Sequence, residues 1–163
     1  LVEYEFSLFD GSGQVARKTG RTFLLPQERT YVIETNITTT REPIRVEFEA
    51  VNVEWKVSEE KRPNIVVERR EYRVEEIAGK RRSAVDAVVL NRSPYDFREV
   101  EADIAVLDSD GNLLGVNQIV LEDLESGARR EFRSLWPVVF FGVVATIEVE
   151  ARVYLFDPTM IRR

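Results

Sequence analysis

The chain has 163 residues, of which 44% are hydrophobic and 32% charged, as is typical of a globular protein of one domain or two small ones. Its formal net charge of −6 argues against nucleic acid as a partner, because phosphate binding requires clustered Lys and Arg. The absence of Cys and His excludes disulfides, thiolate chemistry and the commonest general base and metal ligand, and no cofactor is expected.

The dominant pattern along the chain is an alternation of apolar and polar residues with a period of two. Because successive strand side chains point to opposite faces, each such run predicts a strand with one buried face and one wet face. Strands are predicted at roughly 2–9, 14–25, 30–37, 44–56, 64–77, 83–91, 97–107, 112–121, 129–135 and 143–156. No segment has a convincing helical pattern, so we predict an all-β protein built from antiparallel sheets.

The stretch that opens the chain recurs near its middle. FSLFDGSG at 6–13 resembles IAVLDSDG at 104–111, and VEFEA at 46–50 resembles IEVEA at 147–151. Shared turn chemistry would explain the first match but not a series of matches in the same order. We therefore predict a duplicated module, with two tandem antiparallel β-sandwiches in the chain.

The two predicted copies are unequal. Copy one is residues 1–56, copy two is residues 64–163, and the charged stretch 57–63, which ends in Pro, is the predicted linker. Copy two has two strands before its hairpin, whereas copy one begins at the hairpin and would have unpaired sheet edges. We expect the missing strands to precede residue 1 in the natural protein or to be supplied by something else. One hypothesis is that the open edge of copy one accepts a strand from a neighbour.

The hairpin also carries a family resemblance. FSLFD at 6–10 fits the pattern Phe-x-Leu-Tyr-Asp, with Phe9 in place of Tyr, and so resembles the FxLYD family of bacterial extracytoplasmic domains. Copy two departs further at 104–108, although SAVDAVVLNRS, LDSDGNLLG and LESGARREF are also similar to the family. The resemblance implies immunoglobulin-like or fibronectin-like sandwiches in the cell envelope, held by an upstream membrane anchor that this chain does not contain. It implies no catalytic residues.

The loop before the last strand differs most between the copies. Copy one is polar there, with NITTTREPIRV at 36–46, whereas copy two has SLWPVVFFGVV at 134–144. Because loops face solvent as a rule, an apolar loop requires a cover. Either the sandwich or the other module covers it, or it contacts a partner, a sugar or a membrane. The candidate partner surface consists of Trp136, Phe140 and Phe141.

An acidic turn, Asp108 to Asn112, offers closely spaced oxygens to a cation. However, Gly111 comes before Asn112 instead of after a third ligand, and two Leu residues follow at once. The sequence therefore favours a hairpin turn in which Gly111 supplies a positive φ, and it leaves cation binding open.

The alternation also breaks within the last strand of copy one. At Ala50-Val51 two apolar residues are adjacent, so that Val51 and Val53 would face opposite to Phe48. A β-bulge at this point would re-aim the strand, and we predict one here.

The functional prediction follows from these absences and surfaces. Glu residues such as Glu47 and Glu148 lie on wet strand faces, where a carboxyl is not tuned for proton transfer, and no enzyme is expected. We predict a non-catalytic structural or interaction module of an exported, membrane-anchored bacterial protein, with a protein or a cell-envelope glycan as partner. The alternative is a carbohydrate or cell-wall binding module that uses exposed aromatics.

Overall fold

The structure is a computed structural model that describes residues 1–25, 29–57 and 62–162. The part it describes is all-β and contains no α-helix, as the period of two predicted. None of the described residues forms a helix able to cross a membrane. The chain divides into two compact units, Leu1–Val57 (unit 1) and Ser58–Arg163 (unit 2). Residues 58–61, which make up most of the predicted linker, lie outside the described residues.

The strands follow the predicted order with small shifts of their ends. They are β1 Val2–Asp10, β2 Gly13–Thr22, β3 Arg45–Val53, β4 Ile65–Ile77, β5 Lys80–Asn91, β6 Asp96–Leu107, β7 Leu113–Leu124, β8 Arg129–Trp136, β9 Thr146–Arg152 and β10 Ile161–Arg162. A short 3-10 turn, Pro158–Met160, precedes β10, and the described residues contain no cis peptide bond.

Unit 2 consists of two antiparallel sheets packed face to face. One sheet has the order β4-β5-β8. In the other, β6 pairs with β7 along one edge and with β9 and β10 along the opposite edge. Alternate residues of β5 and β6 meet between the sheets, and the fully buried members of this core include Val85, Ala87, Val89, Phe97, Val100, Ala102, Ile104, Val106 and Leu124. Burial of one such large side chain contributes roughly 1.5–3 kcal/mol, so the apolar contact between the two sheets stabilises the sandwich.

A buried Asn closes one end of this core. Asn91, the last residue of β5, has no exposed surface. Its Nδ2 donates to the carbonyl oxygens of Tyr95, Leu124 and Glu125 at 2.8, 3.1 and 3.2 Å. Its Oδ1 accepts from the backbone N–H of Ser93 at 2.9 Å. One amide thus satisfies the polar backbone where β5 ends and where β7 leads into β8, which is the condition for burying it.

The described residues of unit 1 form a single three-stranded sheet with the order β2-β1-β3. Its pairing repeats that of β7-β6-β9 in unit 2. Phe6 lies opposite Phe48, as Ile104 lies opposite Val149, and both hairpins shift register at the same point, after Leu8 and after Val106. Residues that the sequence repeat matches therefore occupy matched places in the two ladders.

The predicted strand at 30–37 is the one clear error in the strand assignment. The structure has no strand at these residues. Its counterpart in the repeat is β8, which is held as a strand by pairing with β5. The described part of unit 1 contains no strand equivalent to β5, so the high β-propensity of this segment has no ladder to join.

The predicted β-bulge is present. The β1–β3 register shifts between Glu3 and Tyr4, which leaves Val51 without a partner in the ladder. Because of this extra residue, Val53 lies opposite Val2 and so on the same face as Phe48. The expectation that Val53 faces away from Phe48 was therefore wrong, because the extra residue of the bulge returns Val53 to the Phe48 face.

Candidate functional site

The three aromatics of the predicted partner surface do not lie in one environment. Phe140 is only 9% exposed, and its ring stacks on Tyr72 at 5.9 Å and meets Trp136 edge-on at 5.2 Å between ring centroids. Trp136, at the end of β8, is half-buried and donates from Nε1 to the carbonyl of Val116 at 3.0 Å. Phe141 is 98% exposed. The core of unit 2 therefore contains Phe140, and of the three only Phe141 is fully available to a partner.

The loop that carries these residues is tied to the sandwich by its backbone. Ser83 donates from its N–H to the carbonyl of Val138, and Phe140 donates from its N–H to Ser83 Oγ, both at 3.1 Å. Gly115 makes room for the ring, since a Cβ there would come within 2.5 Å of the Phe140 ring. The sandwich thus covers part of the apolar loop, while Phe141 and Val143 project from its tip.

The acidic turn uses its carboxylate internally. Asp108 Oδ1 accepts from the N–H groups of Asp110 and Asn112 at 2.9 and 2.8 Å, and its Oδ2 accepts from Asn112 Nδ2 at 3.0 Å. The hydrogen bonds from Asn112 lower the pKa of Asp108 because they favour the charged form. Gly111 has the predicted positive φ, at 82°. Among the described residues no cluster of three or more potential metal ligands occurs, here or elsewhere.

An apolar surface that the sequence reasoning did not single out lies on unit 1. We call it the open face: Val46, Phe48 and Val53 of β3, on the side of the sheet to which Tyr4, Phe6 and Leu8 also point. Val46 is 57% and Phe48 51% exposed. Their counterparts in unit 2, Ile147 and Val149, are half-buried and packed against the core.

The open face has an ordered aromatic centre. The Phe6 and Phe48 rings are 5.2 Å apart, and the Tyr4 ring lies 5.8 Å from Phe6 and 6.0 Å from Phe48. Such contacts fix the rings in place. Tyr4 is buried, with 6% of its surface exposed, whereas Phe48 at the edge strand is 51% exposed. The open face is therefore a preformed apolar surface.

Residues 30–35, which we call segment 30–35, form no strand and contact the sheet of unit 1. Glu34 accepts a hydrogen bond from the Tyr4 hydroxyl at 2.8 Å and lies 3.7 Å from Lys18 Nζ. In unit 2 the matched residues make the matched contact, Asn117 Nδ2 donating to Ser134 Oγ of β8 at 2.9 Å. Segment 30–35 thus contacts β1 and β2 of its sheet through Glu34.

The difference from β8 is in the backbone. Val32 and Ile33 have no backbone hydrogen bond to any other described residue. Phe132 and Arg133, at the matched places of β8, lie in a ladder opposite Ala87 and Asp86 of β5. Strand-forming backbone without a partner is a template for a further strand.

The charges on the outer side of β8 also differ from those at the matched places of residues 30–35. The outer side of β4-β5-β8 carries ion pairs across strands, Arg133 to Asp86 at 2.7 Å and Arg69 to Glu131 at 2.6 Å. The hydrogen bond to Asp86 raises the pKa of Arg133. At the places of Glu131 and Arg133, segment 30–35 has Tyr31 and Ile33, and the Arg29 guanidinium lies 6.0 Å from the centre of the Tyr31 ring.

The opposite side of the unit 1 sheet is polar. A shallow groove of about 430 Å³ is lined there by Glu3, Glu5, Arg17, Thr19, Gly20, Arg21 and Val51. Its charges are satisfied within the sheet, since Arg17 pairs with Glu5 and Arg21 lies 2.8 Å from Glu3. The hydrogen bond from Arg17 lowers the pKa of Glu5. Mutually paired, exposed charges do not call for a ligand.

The chain matches no family model, no curated protein and no solved structure. The resemblance to the FxLYD family, the cell-envelope location and the upstream membrane anchor therefore stay predictions.

Proposed function

We propose that this protein is a non-catalytic interaction module whose binding surface is the open face of unit 1. One observation carries the proposal: Val46 and Phe48 are more than half exposed, although their counterparts in unit 2 pack against a core. A contiguous exposed apolar surface is unfavourable in water and is characteristic of a site that a partner covers.

Unit 2 would serve as the scaffold in this function. Its two sheets cover each other, and its outer charges pair across strands, as Arg129 pairs with Glu68 at 2.8 Å. Charged residues on a surface resist non-specific association, whereas the open face favours it. The division of labour between a closed unit and an open unit supports an adhesive or assembly role. The extracytoplasmic location of that role is a prediction from family resemblance.

Site-specific photo-crosslinking in the native host tests the proposal. A photoreactive phenylalanine analogue replaces Phe48 in one version of the protein and Arg70, an exposed residue of β4, in the matched control. We expect a discrete covalent adduct from position 48 that position 70 does not give. Absence of any adduct from positions 48 and 46 under conditions in which the protein is produced and folded would overturn the proposal.

A second candidate function is glycan binding at the tip of unit 2, favoured by the full exposure of Phe141 next to the exposed Val143. Aromatic rings at such surfaces are suited to stack on sugars. Titration with a panel of cell-wall glycans, followed by the fluorescence of the neighbouring Trp136, tests it. A response that F141A abolishes would support this function, and silence across the panel would remove it.

A further inference from the structure

The structure assigns Asn36 as the acceptor of an N-linked glycan. The chain has two Asn-x-Ser/Thr triplets, the pattern that N-glycan transferases recognise: 36–38 in unit 1 and 91–93 in unit 2. Such triplets are also frequent by chance, so the surroundings of each Asn decide which of them is able to carry a sugar. The inference goes beyond the proposed function and is tested separately from it.

Asn36 is accessible to an enzyme. It lies between β2 and β3, outside the ladders that the described residues of unit 1 form, and both Asn36 and Thr38 are exposed. Its φ of 58° is in the left-handed region, which Asn adopts more readily than most residues and which strands do not use. Its Nδ2 donates to Thr35 Oγ1 at 3.5 Å, which is long for a hydrogen bond. Attachment of a sugar to Nδ2 would therefore disrupt little of the fold.

The chain is fixed to the sheet of unit 1 on both sides of this triplet. Before it, Glu34 accepts from the Tyr4 hydroxyl at 2.8 Å. After it, the Arg41 guanidinium lies 2.9 Å from the Asp10 carboxylate. These contacts hold the loop without using Asn36. A glycan, which is bulky and well solvated, can thus project from the loop while the contacts on either side remain.

Asn91 has the opposite surroundings. It has no exposed surface, and its Nδ2 donates to the carbonyl oxygens of Tyr95, Leu124 and Glu125. A glycosylated amide retains a single N–H, so most of these hydrogen bonds would be lost, and the buried carbonyl oxygens require partners. The sugar would also have to fit inside a closed core. The folded chain therefore cannot carry a glycan at Asn91, which serves as a control within the same molecule.

The reaction is a substitution at C1, the anomeric carbon, of the first sugar. The donor class is an oligosaccharide joined through a diphosphate to a polyprenyl lipid, presented by a transferase of the host. A bond forms between Asn36 Nδ2 and C1 while the bond between C1 and the diphosphate oxygen breaks. The lipid diphosphate leaves with that electron pair, and one Nδ2 proton passes to a base of the transferase. Thr38 supplies the hydroxyl that completes the recognised triplet.

The test is peptide mapping by mass spectrometry of the protein purified from its native host. Trypsin cuts after Lys and Arg, so it releases Asn36 in peptide 30–41 and Asn91 in peptide 83–92. We expect peptide 30–41 to carry the added mass of an oligosaccharide, with fragment ions that place it on Asn36. Peptide 83–92 should have the mass of its sequence alone.

Variants produced in the same host identify the attachment chemistry. N36Q removes the acceptor and T38A removes the hydroxyl of the triplet, so each should abolish the added mass, whereas T38S should retain it. T40A, which changes an exposed Thr of the same loop outside the triplet, is the matched control and should keep the glycan. None of these positions lies in a strand, and unfolding followed by the fluorescence of Trp55 checks that unit 1 is folded.

Each contrary outcome overturns the inference. An unmodified peptide 30–41 in the protein from the native host does so directly. A sugar that persists in N36Q would be O-linked to a Thr of the same peptide. A glycan on peptide 83–92 of the folded protein would contradict the use of burial to separate the two triplets. None of these results changes the crosslinking expected at position 48, which tests the open face independently.

Discussion

β3 of unit 1 and β9 of unit 2 have nearly the same sequence pattern and the same pairing, yet their apolar residues differ in burial. Phe48 and Val149 each lie opposite the central strand of their sheet, at matched positions. Among the described residues, a second sheet lies above Val149 and none lies above Phe48. The alternation of apolar residues thus fixes which face of a strand avoids water, whereas burial depends on a layer that the strand itself does not encode.

The largest expected effect comes from the centre of the covered sheet. I104A should destabilise unit 2 by about 2–5 kcal/mol, because it leaves a cavity in a fully packed core. F6A, the matched change in unit 1, should cost less per atom removed, since the ring already borders water. Urea unfolding with one tryptophan per unit, Trp136 in a W55F background and Trp55 in a W136F background, reports each unit separately. An equal loss of unfolding free energy per atom removed at residues 104 and 6 would contradict the conclusion that Ile104 is covered by a second sheet and Phe6 is not.

The buried amide at the end of β5 is the next largest effect. N91A should destabilise unit 2 by about 3 kcal/mol, because three carbonyl oxygens and one N–H lose a buried partner. The unit 1 signal from Trp55 should not move. The same tryptophan-resolved unfolding measures both, and a stability loss below about 1 kcal/mol would mean that water replaces the amide.

The sequence predicts the strands better than it predicts which residues are exposed. The alternation located nine of the ten strands that the described residues form, because a period of two has a direct geometric cause. It failed at 30–37, where β-propensity is high but no strand forms among the described residues. It placed Phe140 in a candidate partner surface and left open whether the loop is covered; the structure buries Phe140, because the exposure of a loop residue depends on what the loop packs on. The open face could not be predicted from β3, since nothing in the alternation of β3 distinguishes it from that of β9.

A smaller effect is expected on the open face itself. F48N should change the stability of unit 1 by less than about 1 kcal/mol, because the side chain is already half in water, whereas V149N in unit 2 should cost roughly twice as much. F48N should also lower the fluorescence of an apolar dye bound to the chain. A large loss of unit 1 stability on F48N would show that the ring supports the fold more than it serves binding.

The smallest effect is a pH dependence in the covered sheet. Burial raises the pKa of Glu101 on β6, partly offset by Arg152 at 3.6 Å. A raised carboxyl pKa in the folded state means that stability is present at low pH and is lost as pH rises from the ordinary value to the raised one. The unfolding free energy of E101Q minus that of the wild type should therefore be more positive at about pH 8 than at about pH 3. An E101Q difference that is the same at both pH values would contradict this cause.

The most direct test of the claim that the open face of unit 1 is uncovered is backbone hydrogen exchange of the free chain. The exchange rates of Val32 and Ile33 are compared with those of Phe132 and Arg133, at the matched places of β8. The pairing predicts that Val32 and Ile33 exchange at rates near those of an unfolded chain, while β8 is protected by its ladder with β5. Protection of Val32 and Ile33 equal to that of β8 would mean that unit 1 already has its second layer, and the open face would not be a site.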